Sequence, residues 1–134
     1  DLCAPVDRPW DTARNHFTIR ENGLSRPWVG RVWLNPPFGQ EIPEWMRLMS
    51  AHGNGIALVL ARTETVWFQD HVFFYPTAFA VLFLRGRLTF HHADGSPARG
   101  NCGGAPVLAS GIKGCLIPLR GTAAKLEVQT GAAA

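Results

Sequence analysis

Val32-Trp33-Leu34-Asn35-Pro36-Pro37-Phe38-Gly39 is the stretch that decides the predicted fold. Proline fixes φ, lacks an N–H donor and pushes the preceding residue toward extended conformations. Asn35 and Pro36 each precede a proline, so we expect a strand that stops at Leu34 and a stiff loop behind it. In open α/β sheets, ligands bind at this carboxyl edge. The loop offers an amide, free carbonyls and an aromatic ring, which together suit a planar group bearing an NH2.

The bulk composition predicts one globular domain with a substantial core. The chain has 134 residues, of which 46% are hydrophobic and 17% are charged. That length suits a single domain, and the composition excludes a disordered chain. The formal net charge is +3 and the pI is about 9.1. This mildly basic balance is compatible with a polyanionic partner.

The cysteines and the apolar runs indicate the compartment. Cys3, Cys102 and Cys115 are far apart and odd in number, which argues against a disulfide scaffold or a zinc site and fits a reducing cytosol. The sequence contains neither a run of about 18 apolar residues nor a signal-peptide pattern, so we expect a cytoplasmic protein without a membrane partner. Because the chain begins at Asp1 without a methionine, residues that precede it are expected to matter.

A strand–helix–strand unit surrounds the Asn-Pro-Pro loop. Residues 31–34 form the predicted strand, and the helix begins at Pro43 and runs to His52, where Gly53 ends it. The continuous apolar run at 56–60 is typical of a buried parallel strand. This order predicts a βαβ unit.

Weaker patterns predict the remaining elements. They give a helical turn from Asp11 to Arg14, a strand at 16–20, a turn at 21–23, a helix at 66–74 capped by Thr63, a strand at 78–84, another beginning at 88–90, a loop at 91–110, a last edge strand at 112–119 and a frayed tail at 122–134.

Several further motifs occur in a fixed order with Asn-Pro-Pro-Phe. They are Asp1-x-Cys3-Ala4, Phe17-Thr18, Gly23-Leu24, Trp28-x-Gly30, Trp45, Ala61-Arg62-Thr63-x-Thr65-x-Trp67-Phe68 and Gly86-Arg87-Leu88-x-Phe90. Over residues 1–90, and more loosely the last strand, the chain resembles the phage-type (Dam-like) DNA N6-adenine methyltransferases, which are class I enzymes that use S-adenosylmethionine. The resemblance implies an abridged Rossmann-like α/β fold in a single domain at 1–134, with a mostly parallel sheet, flanking helices and a C-terminal antiparallel hairpin.

The resemblance assigns catalysis to Asn35, Pro36, Pro37 and Phe38. Because the lone pair of adenine N6 is delocalised into the ring, this amine is a poor nucleophile. The Asn35 carboxamide oxygen and the Pro36 carbonyl would each accept one N6–H and aim the lone pair at the methyl group, so catalysis needs mainly positioning and electrostatics. Phe38 would stack on an adenine flipped out of the duplex.

The resemblance places the cofactor beside the first residues of the chain. It implies contacts from Asp1, Cys3, Ala4, Glu21 and Asn22, with Asp1 facing the methionine ammonium and Glu21 in the position of a ribose-binding acid. The usual glycine-rich turn is absent, since Pro5-Val6-Asp7-Arg8-Pro9 stands in its place. Either the cofactor half is abridged or upstream residues complete it.

Double-stranded DNA is the implied partner, in a phage or prophage protein of a bacterial host that takes part in DNA methylation or restriction-modification. Arg62, Arg85 and Arg87 follow strand ends near the active edge and are the favoured phosphate contacts. The loop at 91–110 is a further candidate. His91 and His92 lie beside Asp94, but no ligand set is spaced for a metal.

Other functions stay open from the sequence. The missing glycine turn favours a non-catalytic nucleic-acid-binding module derived from such an enzyme. Asn-Pro-Pro-aromatic loops also serve methylation of RNA amines and protein glutamine amides, because both present a planar NH2. Neither the recognition sequence nor the oligomeric state can be predicted from the residues.

Overall fold

The Asn-Pro-Pro loop follows the first of two short parallel strands. A computed structural model describes residues 1–84, 90–97, 106–110 and 121–125. Strand β1 is Val32–Leu34, helix α1 is Ile42–His52 and strand β2 is Gly55–Leu58. β1 and β2 pair in parallel, with Val32 opposite Gly55 and Leu34 opposite Ala57. The predicted βαβ unit is therefore confirmed.

Helix α1 lies where its start and stop signals predict it. Pro43 occupies the first turn, and Gly53 ends the helix with a φ of 68°, donating its N–H to the Met49 carbonyl at 3.0 Å. Glycine adopts this left-handed conformation without a Cβ penalty. The buried face of α1 consists of Ile42, Trp45, Met46, Met49 and Ser50.

The second helical segment is shorter and more irregular than predicted. Helix α2 covers Val66–Phe68 and continues as a π-helical turn over Gln69–Phe73. Thr65 takes the N-cap position without a capping side-chain bond, so the prediction that Thr63 caps this helix is wrong. The Thr63 carbonyl instead accepts a hydrogen bond from the Gln69 side chain.

The sheet has five strands in the order β1-β2-β4-β3-β5. Strand β3 is Ala78–Leu84, as predicted, while β4 is Pro106–Ser110 and β5 is Gly121–Lys125. β4 pairs antiparallel with both β2 and β3, and β5 pairs antiparallel with β3. Consequently β1, β2 and β3 all run in the same direction, and β4 lies between two of them.

Four sequence predictions concern this end of the chain. Residues 106–110 form β4, so the prediction of a loop through Ser110 is wrong for that stretch. β5 covers Gly121–Lys125, so the prediction of a frayed tail from residue 122 is wrong for residues 122–125. The predicted strand at 112–119 lies outside the described residues, as do residues 88 and 89 of the strand predicted to begin at 88–90. One described pairing is parallel and three are antiparallel, and the Rossmann-like assignment stays a prediction.

The first twenty residues form bends and turns that lie against β1. The Leu2 N–H donates to the Trp33 carbonyl at 3.1 Å. The Phe17 N–H donates to the Asp1 carbonyl, and the Phe17 carbonyl accepts from the Ala4 N–H, both at 2.9 Å. The predicted strand at 16–20 is wrong, because the chain reverses at Thr18, whose carbonyl accepts from Glu21 and Asn22. The predicted helical turn from Asp11 to Arg14 is also wrong, since this stretch only bends.

The core lies mainly on the face of the sheet that α1 and α2 cover. Its fully buried members include Leu34, Met46, Met49, Val59 and Phe68. Burial of side chains this large contributes about 1.5–3 kcal/mol each. A smaller cluster on the opposite side joins Leu58 and Leu82 to the partly buried Trp33, Ile56 and Phe90.

Candidate functional site

The Asn-Pro-Pro loop leaves its polar groups unused by the fold. Asn35 is half-buried, Pro36 is buried and Pro37 is exposed, and the Phe38 side chain is 37% exposed. Within the described part of the chain, the Asn35 carboxamide and the Pro36 carbonyl have no hydrogen-bond partner. The two prolines explain this, since they remove the N–H groups that a continuing strand or helix would supply.

A cavity of about 610 Å³ lies next to this loop. Pockets that bind cofactors and other small molecules have volumes of about 300–1,000 Å³. Its walls come from four separate stretches of chain: Leu2–Ala4, the turn residues Thr18, Ile19, Asn22 and Gly23, the loop Asn35–Phe38, and the helix-side residues Glu41 and Trp45; Phe90 completes the lining. Cys3, Ala4 and Asn22, predicted to contact the cofactor, are thereby brought beside the predicted catalytic loop.

Gly23 allows the turn to approach the first residues closely. A Cβ at this position would lie 2.5 Å from the Leu2 carbonyl oxygen and 2.9 Å from the Trp45 ring. Asn22, just before it, has a φ of 50°, and its side-chain oxygen accepts from the Leu24 N–H at 3.2 Å. Asn tolerates this left-handed conformation better than most residues. The turn is therefore fixed in a shape that presents Asn22 at the cavity.

Asp1 and Glu21, the other predicted cofactor residues, line a neighbouring cavity of about 710 Å³. The Asp1 carboxylate accepts hydrogen bonds from the Thr12 hydroxyl at 2.6 Å and from the Cys3 N–H at 3.1 Å. Leu2 and Thr18 belong to the walls of both cavities. The predicted acids and the predicted catalytic loop thus border adjoining cavities.

Glu21 is held by the turn that contains it. Its carboxylate accepts from the Thr18 hydroxyl at 2.6 Å and from the Thr18 N–H at 2.8 Å. These hydrogen bonds lower the pKa of the Glu21 carboxyl, because they stabilise its charged form.

Cys3 lines the first cavity as a neutral thiol. Burial raises the pKa of the Cys3 thiol to about 12, and the negative charge of Glu41 adds to the rise. Since the thiolate is the nucleophilic form of cysteine, Cys3 serves as a small wall residue and is a poor nucleophile. Glu41 lines the same cavity.

Several lining residues were missed as site residues by sequence reasoning, among them Glu41, Trp45 and Phe90. Glu41 and Trp45 have the pattern of a helix start and its buried face, which hides a second role. Phe90 contacts Phe38 edge to face, with ring centroids 5.7 Å apart. Only the fixed place of Trp45 and Phe90 in the ordered motifs hinted that they belong to the site.

The predicted DNA contacts are described only in part. The Arg62 guanidinium lies 2.8 Å from the Glu64 carboxylate, and both side chains are mostly exposed. A surface pair of this kind adds little to stability and leaves Arg62 available for a phosphate. Arg85 and Arg87 lie outside the described residues.

Comparison of the chain with protein-family models, with curated proteins and with solved structures finds no match. In the parts of the chain that the structure describes, no helix has the length and apolar character needed to cross a membrane. The same parts contain no group of three or more His, Cys, Asp or Glu side chains arranged for a metal.

Proposed function

We propose that this protein is an adenine-specific DNA methyltransferase, which transfers a methyl group from S-adenosylmethionine to the N6 amine of adenine. One observation carries the proposal: the cavity joins the Asn35–Phe38 loop to Cys3, Ala4 and Asn22. These are residues for which the family resemblance independently implies catalytic and cofactor contacts. They are separated in the sequence, and the fold puts them around one space.

The loop has acceptors suited to an amine. Within the described residues, the Asn35 carboxamide oxygen and the Pro36 carbonyl have no donor, so each is free to accept one N6–H. Accepting both protons would favour a pyramidal nitrogen with its lone pair available. Because these groups are held by prolines, they need little rearrangement when the substrate arrives.

Phe38 supplies an apolar surface for the base. Its side chain is 37% exposed at the cavity, and Phe90 contacts it edge to face. An adenine flipped out of the duplex would stack on the Phe38 ring. Stacking of a base on an aromatic side chain contributes about 1–3 kcal/mol.

The cavity also fits the proposed cofactor. S-adenosylmethionine supplies an electrophilic methyl group on a sulfonium, together with an amino-acid end and an adenosine. The lining combines apolar walls from Leu2, Ala4 and Ile19 with polar groups from Asn22 and Glu41. Such a mixed surface suits a ligand that is part nucleoside and part amino acid. Asp1 and Glu21 remain proposed contacts from the adjoining cavity.

The proposal includes the abridged Rossmann-like fold, double-stranded DNA as partner and a cytoplasmic location in a bacterial host of phage or prophage origin. The shared direction of β1, β2 and β3 supports the fold. A ligand site just after β1 agrees with the edge at which such sheets bind ligands. Phosphate contacts are proposed for Arg62, Arg85 and Arg87.

The decisive experiment measures transfer of a labelled methyl group to unmethylated DNA, to RNA and to a protein substrate in parallel. Incorporation into DNA as N6-methyladenine supports the proposal. Label in RNA or in glutamine amides would keep the chemistry and change the acceptor. DNA binding without heat from S-adenosylhomocysteine in calorimetry would contradict an enzyme and indicate a nucleic-acid-binding module.

A further inference from the structure

Phe90 contacts Phe38 at the cavity from a different part of the chain. Phe38 belongs to the loop after β1, whereas Phe90 follows β3. Both side chains line the cavity of about 610 Å³, with ring centroids 5.7 Å apart and an angle of 70° between the ring planes. This is an edge-to-face arrangement of the kind that aromatic pairs favour. The contact therefore joins two segments that are distant in sequence at the wall where the base is proposed to lie.

The angle between the two rings allows only one of them to stack on a bound base. A planar base that lies flat on Phe38 would stand at 70° to the plane of Phe90. Phe38 is the ring placed for stacking, because it lies three residues after Asn35 in the same stiff loop. Phe90 cannot then stack on the same base, but it can determine how the Phe38 ring is oriented.

Little else among the described residues holds the Phe38 ring. Its side chain is 37% exposed and belongs to neither hydrophobic cluster, and its one aromatic contact there is with Phe90. A Cβ at Gly39 would meet no atom within 4 Å, so the backbone behind Phe38 is not closely packed either. A side chain in such open surroundings has several staggered rotamers available to it. Contact with Phe90 favours one of them.

Phe90 itself is anchored to the sheet. Its partly buried side chain packs against the cluster formed by Leu58 and Leu82. Leu58 is the last residue of β2, and Leu82 lies within β3. Because packed interiors are dense and deform little, this contact fixes the Phe90 ring relative to two strands. Phe90 thereby links the orientation of Phe38 to the sheet.

We propose that Phe90 is a positioning residue for methyl transfer, which holds the Phe38 ring in the orientation that stacks on the flipped adenine. This inference rests on the proposed function and deepens it, since it assigns a role to a residue outside the Asn-Pro-Pro-Phe motif. Phe90 acts through Phe38 and not on the reacting amine or the methyl group. Loss of the Phe90 ring should therefore matter only while Phe38 is present.

A double-mutant cycle on the full chain tests this role. Phe90→Leu keeps an apolar side chain against the cluster and removes the ring. In the wild-type background it is expected to lower kcat/KM for DNA about fivefold, within the range for an edge-to-face aromatic pair. In the Phe38→Ala background it should cause no further loss, because the ring that it orients is absent. The affinity for S-adenosylhomocysteine, measured by calorimetry, should stay the same, whereas a collapse of the shared cavity would reduce it.

Fluorine NMR follows the Phe38 ring independently of activity. The chain is labelled with 4-fluorophenylalanine, and the Phe38 signal is identified by its loss in Phe38→Ala. This signal should shift in Phe90→Leu, because the ring current of Phe90 is removed. Thermal melts check folding, and Phe90→Met replaces Phe90→Leu in both experiments if the leucine variant unfolds.

Phe74→Leu is the matched control, because Phe74 is 72% exposed and does not line the cavity. It should leave both kcat/KM and the Phe38 signal unchanged. An equal loss for Phe90→Leu in both backgrounds would overturn the inference, as would a Phe38 signal that does not move. Either result would leave the proposed function standing. A wild-type chain that transfers no methyl group to DNA would overturn the proposed function, and with it the role of Phe90 in the reaction.

Discussion

The Asn35–Phe38 loop and the Asp1–Glu21 region border adjoining cavities. They differ in whether their polar side chains form hydrogen bonds within the protein. In the loop, the Asn35 carboxamide has no partner among the described residues. In the Asp1–Glu21 region, both carboxylates accept two hydrogen bonds from nearby groups. The fold therefore uses the acids for its own stability and leaves the amide for a ligand.

This difference shows that the type of a polar residue does not by itself determine whether it stabilises the fold or binds a ligand. A buried or half-buried polar group is normally paired within the protein. Where a group at a cavity wall is not paired, the missing partner points to a ligand, and where it is paired the group already has a structural function. The sequence identifies an acid or an amide equally well in both cases, but only the structure tells the two apart.

Substitution of Asn35 should have the largest effect on activity among the changes that test the difference between the two regions. Asn35→Ala removes the side-chain acceptor proposed for N6–H, so methyl transfer to DNA should fall by about 10²–10³, as for other preorganised polar groups at reacting centres. Cofactor affinity should change little. The measurement is single-turnover methylation with saturating cofactor.

Asn54→Ala is a suitable control for Asn35→Ala, because Asn54 follows α1 and does not line the cavity. Full activity of Asn35→Ala would show that the free amide has no part in catalysis, and the distinction between the two regions would lose its functional meaning.

The reactivity of the Cys3 thiol tests whether the cavity wall shields this side chain. Its raised pKa of about 12 leaves little thiolate at pH 8, so alkylation by iodoacetamide in the folded chain should be about 30-fold slower than in urea. Mass spectrometry of the Cys3 peptide separates it from Cys102 and Cys115. Equal rates in both states would mean that the wall is open to solvent and that Cys3 is not shielded.

Phe38→Ala should have a moderate effect. Loss of the stacking surface is expected to reduce kcat/KM for DNA about tenfold, within the range for base–aromatic contacts. Phe38→Tyr keeps the ring and serves as the matched control. If Phe38→Ala and the control methylate DNA equally well, the base is held by another surface, for which Phe90 is the nearest candidate.

Local signals predicted the elements nearest to the site. Pro43 and Gly53 predicted α1 within one residue at its start, and the apolar run at 78–84 matched β3. These elements form from contacts close in sequence. β4 was missed because a short strand after a Gly-rich stretch has little pattern of its own, and it is defined by distant pairing with β2 and β3.

The strand predicted at 16–20 shows the opposite failure. The alternation of β-forming residues was real, but Thr18 bonds to Glu21 and Asn22 and turns the chain, leaving Ile19 88% exposed. At the site, Asn35–Phe38 could be found from the sequence because prolines mark it. Glu41 could not, because the sequence shows only a helix start and not the cavity that this residue lines.

The smallest expected effect concerns the structural role of Glu21, which should make the stability of the fold depend on pH. Thr18 lowers the pKa of Glu21 below the ordinary value of 4.5, so as the pH falls the unfolded chain takes up a proton before the folded chain does. The stability that Glu21 contributes is therefore complete above pH 4.5 and is lost as the pH falls through the folded pKa.

Urea unfolding at about pH 6 and pH 3 measures this contribution. Glu21→Gln should lower the midpoint at the higher pH and narrow the difference between the two, since Gln cannot titrate. Thr18→Ala removes the hydroxyl donor but keeps the N–H, so it should reproduce part of the change. If Glu21→Gln left the pH dependence of the urea midpoint unaltered and weakened cofactor binding tenfold, the Glu21 carboxylate would bind a ligand. It would then not have the structural role that distinguishes it from Asn35.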